Sequence, residues 1–194
     1  MSTIAIILAA DSGEGFPEPK YLTRVQGAPL LARVMQDAAK WPVDEVVVVL
    51  GSNGDAIVSS MEFGGATILI DPCWDEGGAS PLRASIDLVS RDRAVDLVVL
   101  ARGDQPGIDP GLVSDLIDAA HESGADAVVP KYRYARSWPV VIGPALWEHF
   151  LGLEGDVDVQ DLITAHADSI EEVWVEHLAP RIISSFDDAS RPSV

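Results

Sequence analysis

The 194-residue chain is long enough to bury a substantial core as one domain without covalent staples. Its 47% hydrophobic and 23% charged residues are those of an ordinary globular protein, and the single Cys73 rules out both a disulfide framework and a thiolate zinc cluster within one chain. With 13 basic residues against 31 acidic ones, the formal charge of −18 repels nucleic acid and anionic membranes, so neither is an expected partner.

The first predicted element, over residues 3–9, is continuously apolar, the mark of a strand covered on both faces. The apolar start, Ile4 to Ala10, is too short to span a membrane and lacks the basic flank of a secretion signal; a soluble, cytoplasmic protein is expected. Pro29 at a first helical turn, then Leu30, Leu31, Val34 and Ala38 on one face, predict a helix over 30–40. A strand at Glu45–Leu50, a short helix over 55–61 and a strand over 66–70 follow. Ser80-Pro81 reads as a serine cap and a first-turn proline opening a helix that runs to about Ser90. The most apolar later strand, 95–101, should be central. Asp109-Pro110 repeats the cap device before a helix that ends at Gly124.

Short strands over 126–129 and Val140–Ile142 come next, then helices over 145–151 and Val159–His166, and a strand at Ile170–Val175. Nothing divides the chain, so residues 1–186 are expected to form one domain, with 187–194 a frayed tail. The alternation of strands and amphipathic segments predicts an α/β protein of three layers around a mostly parallel sheet.

In such sheets ligands bind beyond the carboxyl ends of the strands. Three loops there carry informative residues. The loop after the first strand, Ala9-Ala10-Asp11-Ser12-Gly13 through Lys20, offers small residues that admit a phosphate and a lysine that neutralises it; a plain turn-rich connection reads equally well. Gly103-Asp104-Gln105-Pro106 sets a carboxylate at a strand tip, which suits Mg²⁺ or an ordinary turn. Arg83 stands in a first helical turn, where the macrodipole disfavours a cation. That position makes sense facing a bound anion, or in a salt bridge to Asp87. Trp74 and Trp138 fall in these loops and offer faces for a base or a pterin, whereas Trp41, Trp147 and Trp174 read as packing residues. Residues 132–136 read as a solvated hairpin.

Taken in order, these motifs resemble the molybdenum-cofactor cytidylyltransferase and guanylyltransferase family, the cytidylyl branch especially. The family's L-A-A-G-x-S-x-R-M-G-x-P-K opening is matched by Leu8-Ala9-Ala10 and Pro19-Lys20, its G-x-P-L-L by Gly27 to Leu31, and its D-Q-P by Asp104-Gln105-Pro106. A family-like tryptophan and S-S-L-R-A segment appears as Trp74 through Ser80-Pro81-Leu82-Arg83-Ala84, and the G-D-x-G segment as Gly155 to Asp158. The chain departs from the pattern at Asp11 for glycine, Gly15 for arginine, Phe16-Pro17 for Met-Gly, and Trp138 for histidine.

The resemblance implies a Rossmann-like nucleotidyltransferase fold and Mg²⁺-assisted attack of a substrate phosphate on the α-phosphorus of a nucleoside triphosphate, releasing pyrophosphate. Ala9-Ala10 favours CTP over GTP. On this reading Lys20 and Asp104 are catalytic, and Ala9, Ala10, Asp11, Ser12, Gly13, Lys20, Arg83 and Asp104 bind the nucleotide. Asp104 and Asp156 hold the metal, while a molybdopterin-type cofactor and a client molybdoenzyme are the implied partners. The altered first loop leaves two alternatives: a transferase for another nucleotide and acceptor, or a degenerate member that binds a cofactor or serves as a maturation partner.

Overall fold

The computed structural model describes residues 2–92, 94–133 and 135–191. Strand β1 (Ser2–Ala9) leads through a long loop to a small hairpin, β2 (Arg24–Val25) and β3 (Ala28–Pro29), and into helix α1 (Leu30–Ala38). Strand β4 (Glu45–Leu50), helix α2 (Gly54–Ser60), strand β5 (Thr67–Ile70) and helix α3 (Ala79–Ser90) follow. Strand β6 (Val95–Arg102) and helix α4 (Pro110–Ser123) precede β7 (Ala127–Tyr132), β8 (Ala135–Arg136) and β9 (Val140–Ile142). The chain closes with α5 (Trp147–Leu151), α6 (Val159–His166), β10 (Ile170–Val175) and α7 (Phe186–Ser190).

The main sheet runs β10-β7-β9-β6-β1-β4-β5, with β8 paired to β7. Strands β1, β4, β5 and β6 are parallel to their neighbours in this group, as is β10 to β7, and β9 runs antiparallel between β6 and β7. Alternate residues of β1 enter different cores because side chains alternate across a strand. Ala5, Ile7 and Ala9 pack with Leu31 and Val34 of α1 and Leu116 of α4, while Ile4 and Ile6 pack with Ile86 of α3, Phe150 of α5 and Ile163 of α6. This is the expected three-layer α/β fold with a mostly parallel sheet.

Local expectations fared unevenly. Helix α4 has Pro110 in its first turn and Gly124 in the left-handed conformation at its end, as the sequence predicts. Ser80 is no cap: α3 already starts at Ala79, and Ser80 is buried inside its first turn. The helix expected over 145–151 divides into a 3₁₀ turn, Pro144–Leu146, and the short α5. Residues 187–190 do not fray. The Ser185 hydroxyl accepts the Asp188 N–H, the Asp188 carboxylate accepts the Ser185 N–H, and Ala189 packs with Val25, Leu30 and Ile183. Residues 192–194 of the expected tail lie outside the described residues. Trp41 and Trp147 are buried as expected, but Trp174 is 68% exposed on the edge strand β10, with the Lys131 ammonium 4.8 Å above its ring. The hairpin expected over 132–136 is present as β7–β8; Tyr134 itself lies outside the described residues.

Candidate functional site

From β1 the chain winds outward to β4 and β5, then returns to β6 on the other side of β1. Strand order therefore reverses at β1, which places a ligand site beyond the carboxyl ends of β1 and β6, where the loops leaving both strands lie side by side. Their tips are held together. The Gly103 N–H donates to the Leu8 carbonyl at 2.7 Å, and a Cβ on Gly103 would lie 2.7 Å from the Ala9 Cβ and 3.0 Å from the Leu8 oxygen. Gly103→Ala is thus expected to lower stability by about 1 kcal/mol, read from the midpoint of a urea titration. An unchanged midpoint would show that the two tips are free to separate.

Five side chains interlock where these loops meet. The Lys20 ammonium donates to Asp11 Oδ2 at 2.7 Å and to Asp104 Oδ2 at 2.8 Å. Arg102 donates to the same Asp104 carboxylate from two nitrogens, Nε to Oδ1 at 2.8 Å and Nη2 to Oδ2 at 2.9 Å. The Tyr21 hydroxyl donates to Asp11 Oδ2 at 2.9 Å, and the Gly13 N–H to Asp11 Oδ1 at 2.9 Å. Two cations face two carboxylates, so the group is neutral as a whole.

Asp104 is only 2% exposed and Lys20 only 7%, a burial that charged groups tolerate when paired. Burial pushes the Asp104 carboxyl upward, but the Arg102 guanidinium and the Lys20 ammonium outweigh it and hold the group below the usual carboxylate range. Burial first, then the charge of Asp11, push the Tyr21 phenol well above its ordinary range, so it remains a proton donor to Asp11. The segment behind is anchored by Gln105 Nε2 donating to the Pro180 carbonyl and Ile183 N–H to the Asp104 carbonyl, both at 2.8 Å.

A cavity of about 510 Å³ opens beside this group. Ala10, Asp11, Ser12 and Tyr21 form one wall, with Arg102 and Asp104 beneath. The facing wall carries Trp74, Asp75, Gly77 and Gly78 from the approach to α3, and Trp138, Asp156 and Asp158 from later loops. The Gly78 N–H donates to Asp156 Oδ1 at 3.2 Å, and a Cβ on Gly77 would sit 2.7 Å from the Gly155 carbonyl, so these loops touch backbone to backbone. The Asp158 carboxylate caps α6 through the N–H groups of Gln160 and Asp161. One wall is thus neutral overall and the other carries three carboxylates.

Of the residues picked from the sequence, Ala10, Asp11, Ser12, Asp104 and Asp156 come together in the cavity lining, with Trp74 and Trp138. Ala9 is buried in the core beneath, and Gly13 serves as the turn whose N–H satisfies Asp11. Lys20 is not among the lining residues; its ammonium is spent on the two carboxylates. Arg83 faces neither the cavity nor Asp87. Its Nη1 donates to the Leu153 carbonyl at 2.8 Å and its Nη2 lies 3.8 Å from Glu76, while Asp87 pairs with Arg91. Sequence reasoning counts Arg102 among the basic residues grouped beside the strand-end loops without assigning it to the site, and it passes over Tyr21. Arg102 carried a signal: two residues before Asp104 at the end of a strand, it shares that residue's side of the sheet.

The two carboxylates expected to hold metal differ. Asp104 already accepts three charge-assisted bonds from two cations, and a metal on its remaining Oδ1 lone pair would sit against both positive charges, so it is a poor fit as a ligand. Asp156 does fit: among the described residues its Oδ2 has no partner, and it faces the cavity. Mg²⁺ typically needs one or two protein carboxylates when phosphates complete its shell, so the lack of a larger ligand cluster among the described residues does not count against it.

A family model described as a MobA-like NTP transferase domain matches residues 5–170, a span that contains every residue of the interlocked group and of the cavity. The chain belongs to this family. MobA-like proteins are nucleotidyltransferases, and the solved structures resembling this chain agree in architecture. The homologue of Rv0371c from Mycobacterium sp. strain JC1 superposes with a TM-score of 0.86 at 26% identity, covering 97% of this chain and 93% of its own. Rv0371c from Mycobacterium tuberculosis H37Rv, in complex with manganese, gives 0.83 at 22% identity over 98% and 97% of the two chains. Among curated relatives, the 3-deoxy-manno-octulosonate cytidylyltransferase of Mesorhizobium japonicum is 25% identical over 126 residues, 65% of this chain and 51% of that protein. The chain spans between 27% and 51% of the length of the curated relatives it matches. No helix among the described residues is long and apolar enough to cross a membrane.

Proposed function

We propose that this MobA-like protein is a cytoplasmic cytidylyltransferase that moves a CMP group from CTP to a phosphorylated acceptor of the molybdopterin type, serving a client molybdoenzyme. The observation that carries the proposal is the cavity at the strand-order reversal, walled by Ala10, Asp11 and Ser12 and floored by the Asp104 of the intact Asp-Gln-Pro motif. The acceptor phosphate oxygen attacks the α-phosphorus, the bond to the β-phosphate breaks, and pyrophosphate leaves with the electron pair. Transfer of this kind rests on positioning and charge neutralisation and needs no covalent nucleophile from the protein.

The loop over residues 10–13 receives the nucleotide, and the Trp74 and Trp138 faces offer stacking surfaces for a base and a pterin. Ala9-Ala10 supports cytidine, as does the similarity to a cytidylyltransferase. Mg²⁺ arriving with the triphosphate would be held by Asp156 and would lower the charge of the phosphates near an acidic wall. Isothermal titration with CTP and GTP, each with and without Mg²⁺, tests the reading. CTP is expected to bind at least tenfold tighter than GTP, and more tightly with Mg²⁺. Equal affinity for both would remove cytidine; binding of neither would remove the nucleotide.

A second reading, a non-catalytic member that binds or hands over a cofactor, is favoured by one observation. Both cations at the nucleotide wall are already neutralised by Asp11 and Asp104. Pyrophosphate release from CTP in the presence of the molybdenum cofactor excludes that reading; tight cofactor binding with no release under any metal supports it.

A further inference from the structure

We propose that Arg102 is an anion-binding residue of this cavity, gripping a substrate phosphate with the guanidinium edge that Asp104 leaves free, so that phosphate recognition here does not depend on a metal at Asp104. Three observations lead there. Arg102 is the one cation among the described residues that line the cavity. Its Nε and Nη2 donate side by side to the two oxygens of Asp104, which fixes the plane of the guanidinium. Its Nη1 has no partner among the described residues, so the opposite fork, Nη1 with the second N–H of Nη2, remains available.

A guanidinium has five donors in a rigid plane, and two are spent on Asp104. The remaining edge matches two oxygens of a phosphate in the same bidentate manner. The Arg102 side chain is 35% exposed; it lines the cavity and rests against a carboxylate that is almost wholly buried. Little side-chain freedom is left to lose when an anion arrives, because Asp104 has already ordered the fork. Asp104 acts in this scheme through Arg102, as a positioning residue, with Lys20 supplying the second positive charge that keeps the carboxylate from repelling the anion. The facing wall, with Asp75, Asp156 and Asp158, confines the anion to the Arg102 side and leaves the other side to cationic or metal-bearing groups.

The identity of the phosphate as part of a nucleotide rests on the proposed transferase reading; the anion site itself does not. Pyrophosphate and CTP therefore serve as separate probes, titrated calorimetrically into the full chain in excess EDTA and in Mg²⁺. Wild type is expected to bind pyrophosphate in EDTA, with Arg102→Lys at least tenfold weaker. The lysine keeps a charge beside Asp104 but has no second edge. Should Arg102→Lys melt earlier than wild type, Arg102→Gln gives the same comparison without a charge. Asp104→Asn should weaken pyrophosphate by the same factor in EDTA and in Mg²⁺, because it loosens the fork in both.

Equal pyrophosphate affinity of wild type and both Arg102 variants overturns the inference, as does wild-type binding that appears only with Mg²⁺. A loss in Asp104→Asn confined to Mg²⁺ overturns it too, because Asp104 would then be the metal ligand. If pyrophosphate depends on Arg102 while CTP binds no tighter than pyrophosphate, the inference stands and the transferase reading falls. If CTP binds with Mg²⁺ regardless of Arg102, the reverse holds.

Discussion

Replacing Lys20 by methionine is expected to destabilise the protein by about 3 kcal/mol, the lower end of the cost of breaking a buried ion pair. Lysine and methionine have similar length, so little packing is lost, and the effect is electrostatic. With the ammonium gone, the nearly buried Asp104 keeps, among the described residues, Arg102 alone, and Asp11 keeps the Tyr21 hydroxyl and the Gly13 N–H. Two carboxylates that now share one cation between them would then face each other across its place. The surviving Arg102 contact is why the value sits at the low end. Adding Asp104→Asn to Lys20→Met should cost clearly less than the sum of the two single changes, because the orphaned charge is removed together with its partner. Urea titration of the four proteins closes the cycle. A loss below about 1 kcal/mol for Lys20→Met would mean that water reaches Asp104 and the group is not the sealed pair described.

The fold was legible in the chain because its strands advertise themselves. Residues 4–9, 46–50 and 97–101 are unbroken apolar runs, and continuous hydrophobicity arises in strands covered on both faces. Helix boundaries were legible where a single residue enforces them, as Pro110 and Gly124 do for α4. They were not where two signals compete. Ser80-Pro81 looked like a cap because serine caps helices, yet the backbone contact between Ala79 N–H and the Gly155 carbonyl begins α3 earlier, and no local pattern encodes a partner 76 residues away. The last helix was missed for the same reason, since Ala189 is held by Val25 and Leu30 from the opposite end of the chain.

At the site, the sequence located the right loops but not the direction of its charges. Arg83 sat in the expected segment and turned to Leu153, a carbonyl that only the folded chain brings near. Lys20 and Asp11 were both expected to meet the nucleotide; the structure joins the two to each other. Pairing of that kind depends on χ angles and on the height of two loops above the sheet. The loop sequence also looked as if a missing arginine at Gly15 had simply been lost. Gly15 has φ of 85°, a conformation arginine rarely adopts, so the loop follows a path in which glycine is needed.

Asp11→Asn is expected to strengthen CTP binding about tenfold, or 1.4 kcal/mol. From sequence alone Asp11 is a free anion against the triphosphate, and like charges about 5 Å apart at an effective dielectric near 20 cost about 3 kcal/mol per pair. In the structure its charge is matched by the Lys20 ammonium 2.7 Å away, so a phosphate meets a dipole and the penalty is smaller. What Asp11 withholds is the ammonium itself. Asparagine keeps an oxygen for the Gly13 N–H, preserving the turn, and sets an amide N–H against the Tyr21 oxygen, while it removes the charge that competes for Lys20. Lys20 then stays bound to Asp104 and turns a freed N–H toward the nucleotide wall, and the interlocked group gains one net positive charge. The gain should shrink as salt is raised, since Asp11 is 43% exposed and its surroundings are screened. Asp11→Gly should act in the same direction but lower stability, because the turn and the Tyr21 hydroxyl both lose their acceptor. Titration of CTP into wild type and both variants at two salt concentrations decides the matter. Weaker binding by Asp11→Asn would show that Asp11 holds Lys20 where the phosphates need it, and that the acidic residue in the loop serves binding instead of opposing it.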